Sequence, residues 1–163
     1  YLFIHGDWLH ILLNMFMLWV CGQDLETEWG KKDFFLFYFL CGVGAGVITV
    51  LFDLHSNMPI VGASGAIFGL MAYLTLMRPF KISPMPFLIP LPIALAAVLY
   101  TVATIPLFLS GNVSGGISHS AHIGGLLGGS LMAFGLNYIE ARKGLLIVLA
   151  LLVLVMMMPV LVF

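Results

Sequence analysis

Four side chains in this sequence have the types and settings needed for acyl transfer. Ser64 is framed by Gly62 and Gly65 in "PIVGASGAIFGLMAYL", where an apolar helix begins. A serine hydroxyl is a weak nucleophile until a neighbouring base takes its proton. His122, in "SAHIGGLLGG", is the best candidate for that base. His10 and Asn14 are four residues apart, hence on one face of a helix. Both can donate hydrogen bonds where an oxyanion develops. A helix starting at Ser64 would add backbone N–H groups that have no partner within the helix. No acidic residue is placed to orient His122, so the sequence reads as a Ser–His dyad rather than a triad. Plainer uses exist for the same residues. Serine is a favoured helix N-cap, and a His–Asn pair can join two membrane helices. His119 and His122 could bind a metal together with His5 and His10. However, five-residue spacing puts His5 and His10 on different helix faces, and no carboxylate joins them. The expectation is no metal and no cofactor. Asp53 and His55 read as solvated surface residues.

Composition sets the class of protein that must position these groups. Of 163 residues, 62% are hydrophobic and 8% charged, and the mean hydropathy is +1.15. A soluble domain carries about a quarter charged residues, so the chain reads as integral to the lipid bilayer. A net charge of -1 argues against a nucleic-acid partner. Cys21 and Cys41 lie in apolar runs and read as small buried hydrophobes. Tyr1 opens in mid-segment, as in the body of a longer protein.

A membrane helix needs about 20 apolar residues to cross roughly 30 Å of hydrocarbon. Six segments are candidates: about 8–23, 33–52, 63–77, 87–109, 119–139 and 144–163. The expected fold class is therefore all-α, a polytopic transmembrane helix bundle. All six Lys and Arg fall after the first, third and fifth spans: Lys31 and Lys32, Arg78 and Lys81, Arg142 and Lys143. Alternate connections share one side, which the positive-inside rule makes cytoplasmic. His5, Asp7, His10, Asn14, Ser64, Ser118, His119, Ser120 and His122 then gather near the outer ends. From Ser64 to Arg78 is 14 residues, about 21 Å of helix against roughly 30 Å of hydrocarbon. Ser64 is expected below the outer surface, with His10 and His122 at a similar depth. Gly65 with Gly69, and Gly125 with Gly129 overlapped by Gly124 and Gly128, allow close helix contact. The proline-rich stretch from Pro84 to Pro106 and the loop 110–118 read as a loosely packed gate and lid.

"HGDWLHILLNMFMLWVCG", "GASGAIFG" and "SAHIGGLLGG", in that order, resemble the rhomboid intramembrane serine proteases. The resemblance covers about residues 3–140. It implies Ser64 as nucleophile, His122 as general base, and an oxyanion hole from the Ser64 backbone, His10 and Asn14. It further implies that Gly62 gives room, and an amide, beside the substrate carbonyl. His5 would hold the outer loop, and Phe68 would pack on the His122 ring. Gly65, Gly125 and Gly129 would set the helix contact. Glu26 would fit a Glu-x-Arg pattern, but Glu28 stands where arginine is usual. Residues 1–143 would be the protease core, equivalent to the family's second to sixth helices, with 144–163 an additional helix. The implied substrates are transmembrane segments of membrane proteins, cut near their outer ends. The implied setting is a plasma or inner membrane, with the active site opening on the extracytoplasmic side. The rival reading is a catalytically inactive relative that binds and escorts membrane proteins.

Overall fold

The structure, a computed structural model, describes residues 1–52, 61–84, 90–109 and 119–162. Asp53, His55 and the loop 110–118 lie outside the described residues, as do residues 85–89 of the expected gate. The described elements are α1 (Trp8–Trp29), α2 (Lys31–Phe52), α3 (Ser64–Met77), β1 (Ile82–Pro84), β2 (Pro90–Pro92), α4 (Ile93–Leu109), α5 (His119–Leu136) and α6 (Tyr138–Val162). They group into two compact units. One comprises Tyr1–Tyr73 with Val113–Met132, the other Leu74–Asn112 with Ala133–Phe163.

The first unit carries α1 and α2 and the N-terminal parts of α3 and α5. Asp7 caps α1, its carboxylate accepting the His10 amide at 2.7 Å. The helix continues six residues beyond the expected end at 23, through the polar run Gln23–Glu28. Internal hydrogen bonding satisfies that backbone whatever its side chains, and buried Leu25 holds the extension down. Trp29 anchors it further, with ring centroids 5.4 Å from Phe37 and 4.8 Å from Tyr73. Gly30, at φ 80°, stops the helix, and its amide returns to the Glu26 carbonyl. α2 follows at once. Among the described residues it is the one helix both long and apolar enough to cross a membrane by itself, whereas Ser64–Met77 is shorter. At 14 residues, α3 reaches about 21 Å.

The second unit contains a departure from the all-helical expectation. Within the span expected over 87–109, Pro90–Pro92 forms a strand, β2, and α4 starts only at Ile93. β1 and β2 pair antiparallel, Ile82 opposite Pro92 and Pro84 opposite Pro90. In a two-stranded ribbon both strands are edges, the place where proline's missing N–H is tolerated. The turn before the ribbon also caps α4. Ile93 donates to the Lys81 carbonyl at 2.8 Å and Ala94 to the Pro79 carbonyl at 3.1 Å. α6 begins at Tyr138 rather than 144, because Asn137 accepts the Glu140 amide as an N-cap. Gly144 then lies against the Leu76 carbonyl so closely that a Cβ there would collide with it.

Candidate active site

α3 starts at Ser64, and its first helical hydrogen bond runs from the Ile67 amide to the Ala63 carbonyl, 3.1 Å. Ala63 therefore occupies the N-cap position and Ser64 is the first residue inside. The amides of Ser64, Gly65 and Ala66 have no acceptor within the helix. The Ser64 hydroxyl instead meets His122, with Oγ 3.0 Å from Nε2. Both residues are partly buried. The Phe68 ring, one helical turn below Ser64, stacks on the imidazole with centroids 4.1 Å apart and planes 15° from parallel. Serine and phenylalanine of one helix thus meet a histidine of another from two directions.

Glycine makes this approach of α3 and α5 possible. A Cβ on Gly125 would overlap the Gly65 carbonyl, and one on Gly129 the Gly69 carbonyl. The overlapping pair points elsewhere. A Cβ on Gly124 would stand 2.8 Å from the Ala45 Cα, and Gly128 faces Cys41 at an ordinary 3.7 Å. α5 thus presents one glycine edge to α3 and another to α2. Gly65 is tight on both sides, its added Cβ falling 2.7 Å from the Ala45 Cβ and 3.3 Å from the Ala121 carbonyl oxygen.

His10 reaches the loop before Ser64 from α1. Its Nδ1 accepts the Gly6 amide at 3.3 Å. A neutral imidazole so engaged carries its proton on Nε2. That nitrogen lies over Gly62, where an added Cβ would be 2.7 Å from it. Gly62 also holds φ 101°, a left-handed conformation that side chains rarely adopt. Its amide donates to the Tyr1 carbonyl at 3.3 Å, so the expectation of a Gly62 amide facing the substrate carbonyl is corrected. The room expected there is taken by the His10 ring. Asn14 is buried, and its amide nitrogen donates to the His10 carbonyl at 2.8 Å. One of its two N–H hydrogens is thereby used, while its Oδ1 is buried without a partner among the described residues. His5 meets His10 edge to face at 5.2 Å, and both of its ring nitrogens are buried and unpartnered among the described residues.

Glu26 stands apart from this group, near the opposite end of α1. Tyr1, Leu2, Gly42 and Gly46, which motif spacing did not single out, form a further support of this group. The Tyr1 hydroxyl donates to the Gly42 carbonyl. Gly42 and Gly46 face the Leu2 side chain and the Tyr1 ring at 2.7 and 2.9 Å from their added Cβ positions. The four-residue glycine spacing on α2 was the available signal.

Comparison with known proteins agrees with these motifs. A family model described as "Rhomboid domain" matches residues 1–139. "Rhomboid-like protein 11, chloroplastic" of Arabidopsis thaliana is 41% identical over 47% of this chain and 27% of its own. "Rhomboid-like protease 5" of Toxoplasma gondii is 33% identical over 82% of this chain and 15% of its own. "Rhomboid protease GluP" of Bacillus subtilis is 31% identical over 85% of this chain and 25% of its own. The chain thus spans well under half the length of these curated relatives. No solved structure matches it. The chain belongs to the rhomboid family, integral membrane proteins whose domain is a bundle of transmembrane helices.

Proposed function

We propose that this protein is an intramembrane serine endopeptidase working through a Ser64–His122 dyad. The observation that carries the reading is the 3.0 Å approach of Ser64 Oγ to His122 Nε2. In that role Nε2 takes the hydroxyl proton as Oγ attacks the peptide carbonyl. The negative charge forming on the carbonyl oxygen is met by the free amides at the α3 start, the Nε2–H of His10 and the second N–H hydrogen of Asn14. Collapse of the adduct expels the amine, which takes the proton back from His122. A water molecule, deprotonated by the same imidazole, then attacks the acyl carbonyl; the Ser64 ester bond breaks, Oγ takes the proton back from His122, and the acid product leaves. Phe68, flat against the ring, keeps Nε2 directed at Oγ throughout. No step needs a cofactor.

The proposed substrates are transmembrane segments of membrane proteins, cut near their extracytoplasmic ends, in keeping with the position of Ser64 at the outer end of α3. The clustering of all cations after alternate spans supports an orientation with that end outside the cytoplasm, in a plasma or inner membrane. Residues 1–143 are proposed as the protease core, with α1 to α5 standing for the family's second to sixth helices. Residues 144–163, the larger part of α6, are proposed to belong to an additional helix. Two relatives named as proteases, those of Toxoplasma gondii and Bacillus subtilis, support the activity.

The test uses the full-length protein with a model transmembrane substrate. Ser64→Ala and His122→Ala are each expected to abolish cleavage while the protein still folds in detergent. Equal cleavage by wild type and Ser64→Ala would overturn the protease reading in favour of binding and escort.

A further inference from the structure

The loop that delivers Ser64 is held from two sides. On one side the His10 ring fills the space over Gly62. On the other, the Gly62 amide donates to the Tyr1 carbonyl at 3.3 Å. Tyr1 is itself pinned. Its carbonyl also accepts the Ile4 amide at 3.0 Å, closing a tight turn. Its hydroxyl donates to the Gly42 carbonyl on α2. Its ring lies where a side chain at position 46 would be, 2.9 Å from the Cβ that Gly46 lacks. These contacts form a chain from the body of α2, through Tyr1, to the residue two positions before the nucleophile.

We infer that Tyr1 is a positioning residue for Ser64, a clamp that transmits the fixed position of α2 to the Gly62 backbone. The physical argument runs through Gly62. At φ 101° it sits in a region that glycine shares with many alternative conformations. Free of the clamp, it would let the Ala63–Ser64 segment sample several orientations. With both faces held, one orientation remains, and the α3 amides and the Ser64 hydroxyl keep a common geometry. Small displacements matter, because a reacting atom about 1 Å out of place can cost around 10²-fold in rate. The contacts of Tyr1 run to Ile4, Gly42, Gly46 and Gly62 and not to Ser64 or His122, so its effect is on reactivity and not on the identity of the nucleophile. Leu2 packs on Gly42 of the same helix but holds no bond to Gly62 among the described residues. It separates a packing role from a positioning one.

This inference rests on the proposed Ser–His hydrolase, and its test distinguishes the two. The full-length protein, in micelles, is reacted with a fluorophosphonate, and both the rate constant and the final extent of Ser64 labelling are recorded. The extent counts competent molecules; the rate constant reads the reactivity of each. Tyr1→Phe keeps the ring on Gly46 and removes the hydroxyl. It is expected to slow labelling about three- to tenfold at unchanged final extent, the scale of one lost hydrogen bond. Leu2→Ala is expected to lower the extent or the melting temperature while leaving the rate constant near wild type. If Tyr1→Phe labels at the wild-type rate, or loses extent alone, Tyr1 is a packing residue and the clamp is overturned. If wild type itself does not label while the folded protein persists, the hydrolase reading falls and the clamp with it.

Discussion

At the scale of single residues, the placement of Ser64 separates two uses of one hydroxyl. A capping serine precedes the helix and turns its oxygen back to the second or third amide. Here Ala63 holds that position, and the Ser64 oxygen lies 3.0 Å from His122 instead. The amides left without side-chain caps are then open to an incoming carbonyl oxygen. Loss of one oxyanion donor costs about 10²–10³ in rate, so Asn14→Ala is expected to fall in that range in kcat. Phe68→Ala removes the stacked ring, and aromatic pairs contribute about 0.5–1.5 kcal/mol beyond buried area. A drop of up to about tenfold in kcat is expected. Kinetics of both variants on one substrate check this ordering. A larger loss for Phe68→Ala than for Asn14→Ala would contradict the assigned roles.

Among the elements, the junction of α3 with α5 decides whether the dyad exists. Hydrocarbon provides no hydrophobic drive between helices, so close packing must come from small residues. Gly129 and Gly128 are neighbours in sequence with opposite tolerances. A Cβ on Gly129 would overlap the Gly69 carbonyl, whereas one on Gly128 meets Cys41 Sγ at 3.7 Å. Overpacking costs typically about 1–3 kcal/mol, while replacing glycine by alanine within a helix gains up to about 1 kcal/mol. Gly129→Ala is therefore expected to lower the unfolding midpoint in detergent and to lower activity. Gly128→Ala is expected to be neutral or slightly stabilising. Equal effects of the two would show that α5 does not present separate faces to α2 and α3.

For the whole molecule, the constraint is water. A hydrolase needs it at Ser64, yet α3 spans about 21 Å of a hydrocarbon layer roughly 30 Å thick. The proposed hydrolysis at Ser64 therefore requires a narrow aqueous cavity that reaches it. In a background lacking Cys21 and Cys41, Ser64→Cys is expected to react with a small aqueous thiol reagent and to resist a bulky impermeant one. The deeper control must be chosen with care. Gly69 is unsuitable, because a Cβ there would stand 2.6 Å from the Cβ at position 41, which remains when Cys41 is replaced by alanine. Ala72 is buried on the same helix, about 12 Å further down by helical rise. Ala72→Cys is expected to resist both reagents. Rapid reaction of position 64 with the bulky reagent would place it at the surface, and no reaction with either would mean that no water reaches it.

The helical membrane class and the approximate helix segments were legible in the sequence, as were Ser64 and His122, which the structure brings to 3.0 Å. Each depends on the chain as a list: the cost of charge in hydrocarbon, the rise of a helix, and the order of the motifs. Helix ends were less legible, because hydrogen bonding carried α1 through the polar run 23–28 and the Asn137 cap started α6 early. The ribbon at 82–84 and 90–92 was hidden in prolines that read as irregular. Only the tertiary structure determined which groups meet. Gly124 and Gly125 look alike in sequence, yet one faces α2 and the other α3, since adjacent helical residues point about 100° apart. The Gly62 amide, free on paper, is taken by Tyr1, a partner 61 positions away. Such pairings depend on how separate helices approach, and no local spacing encodes that.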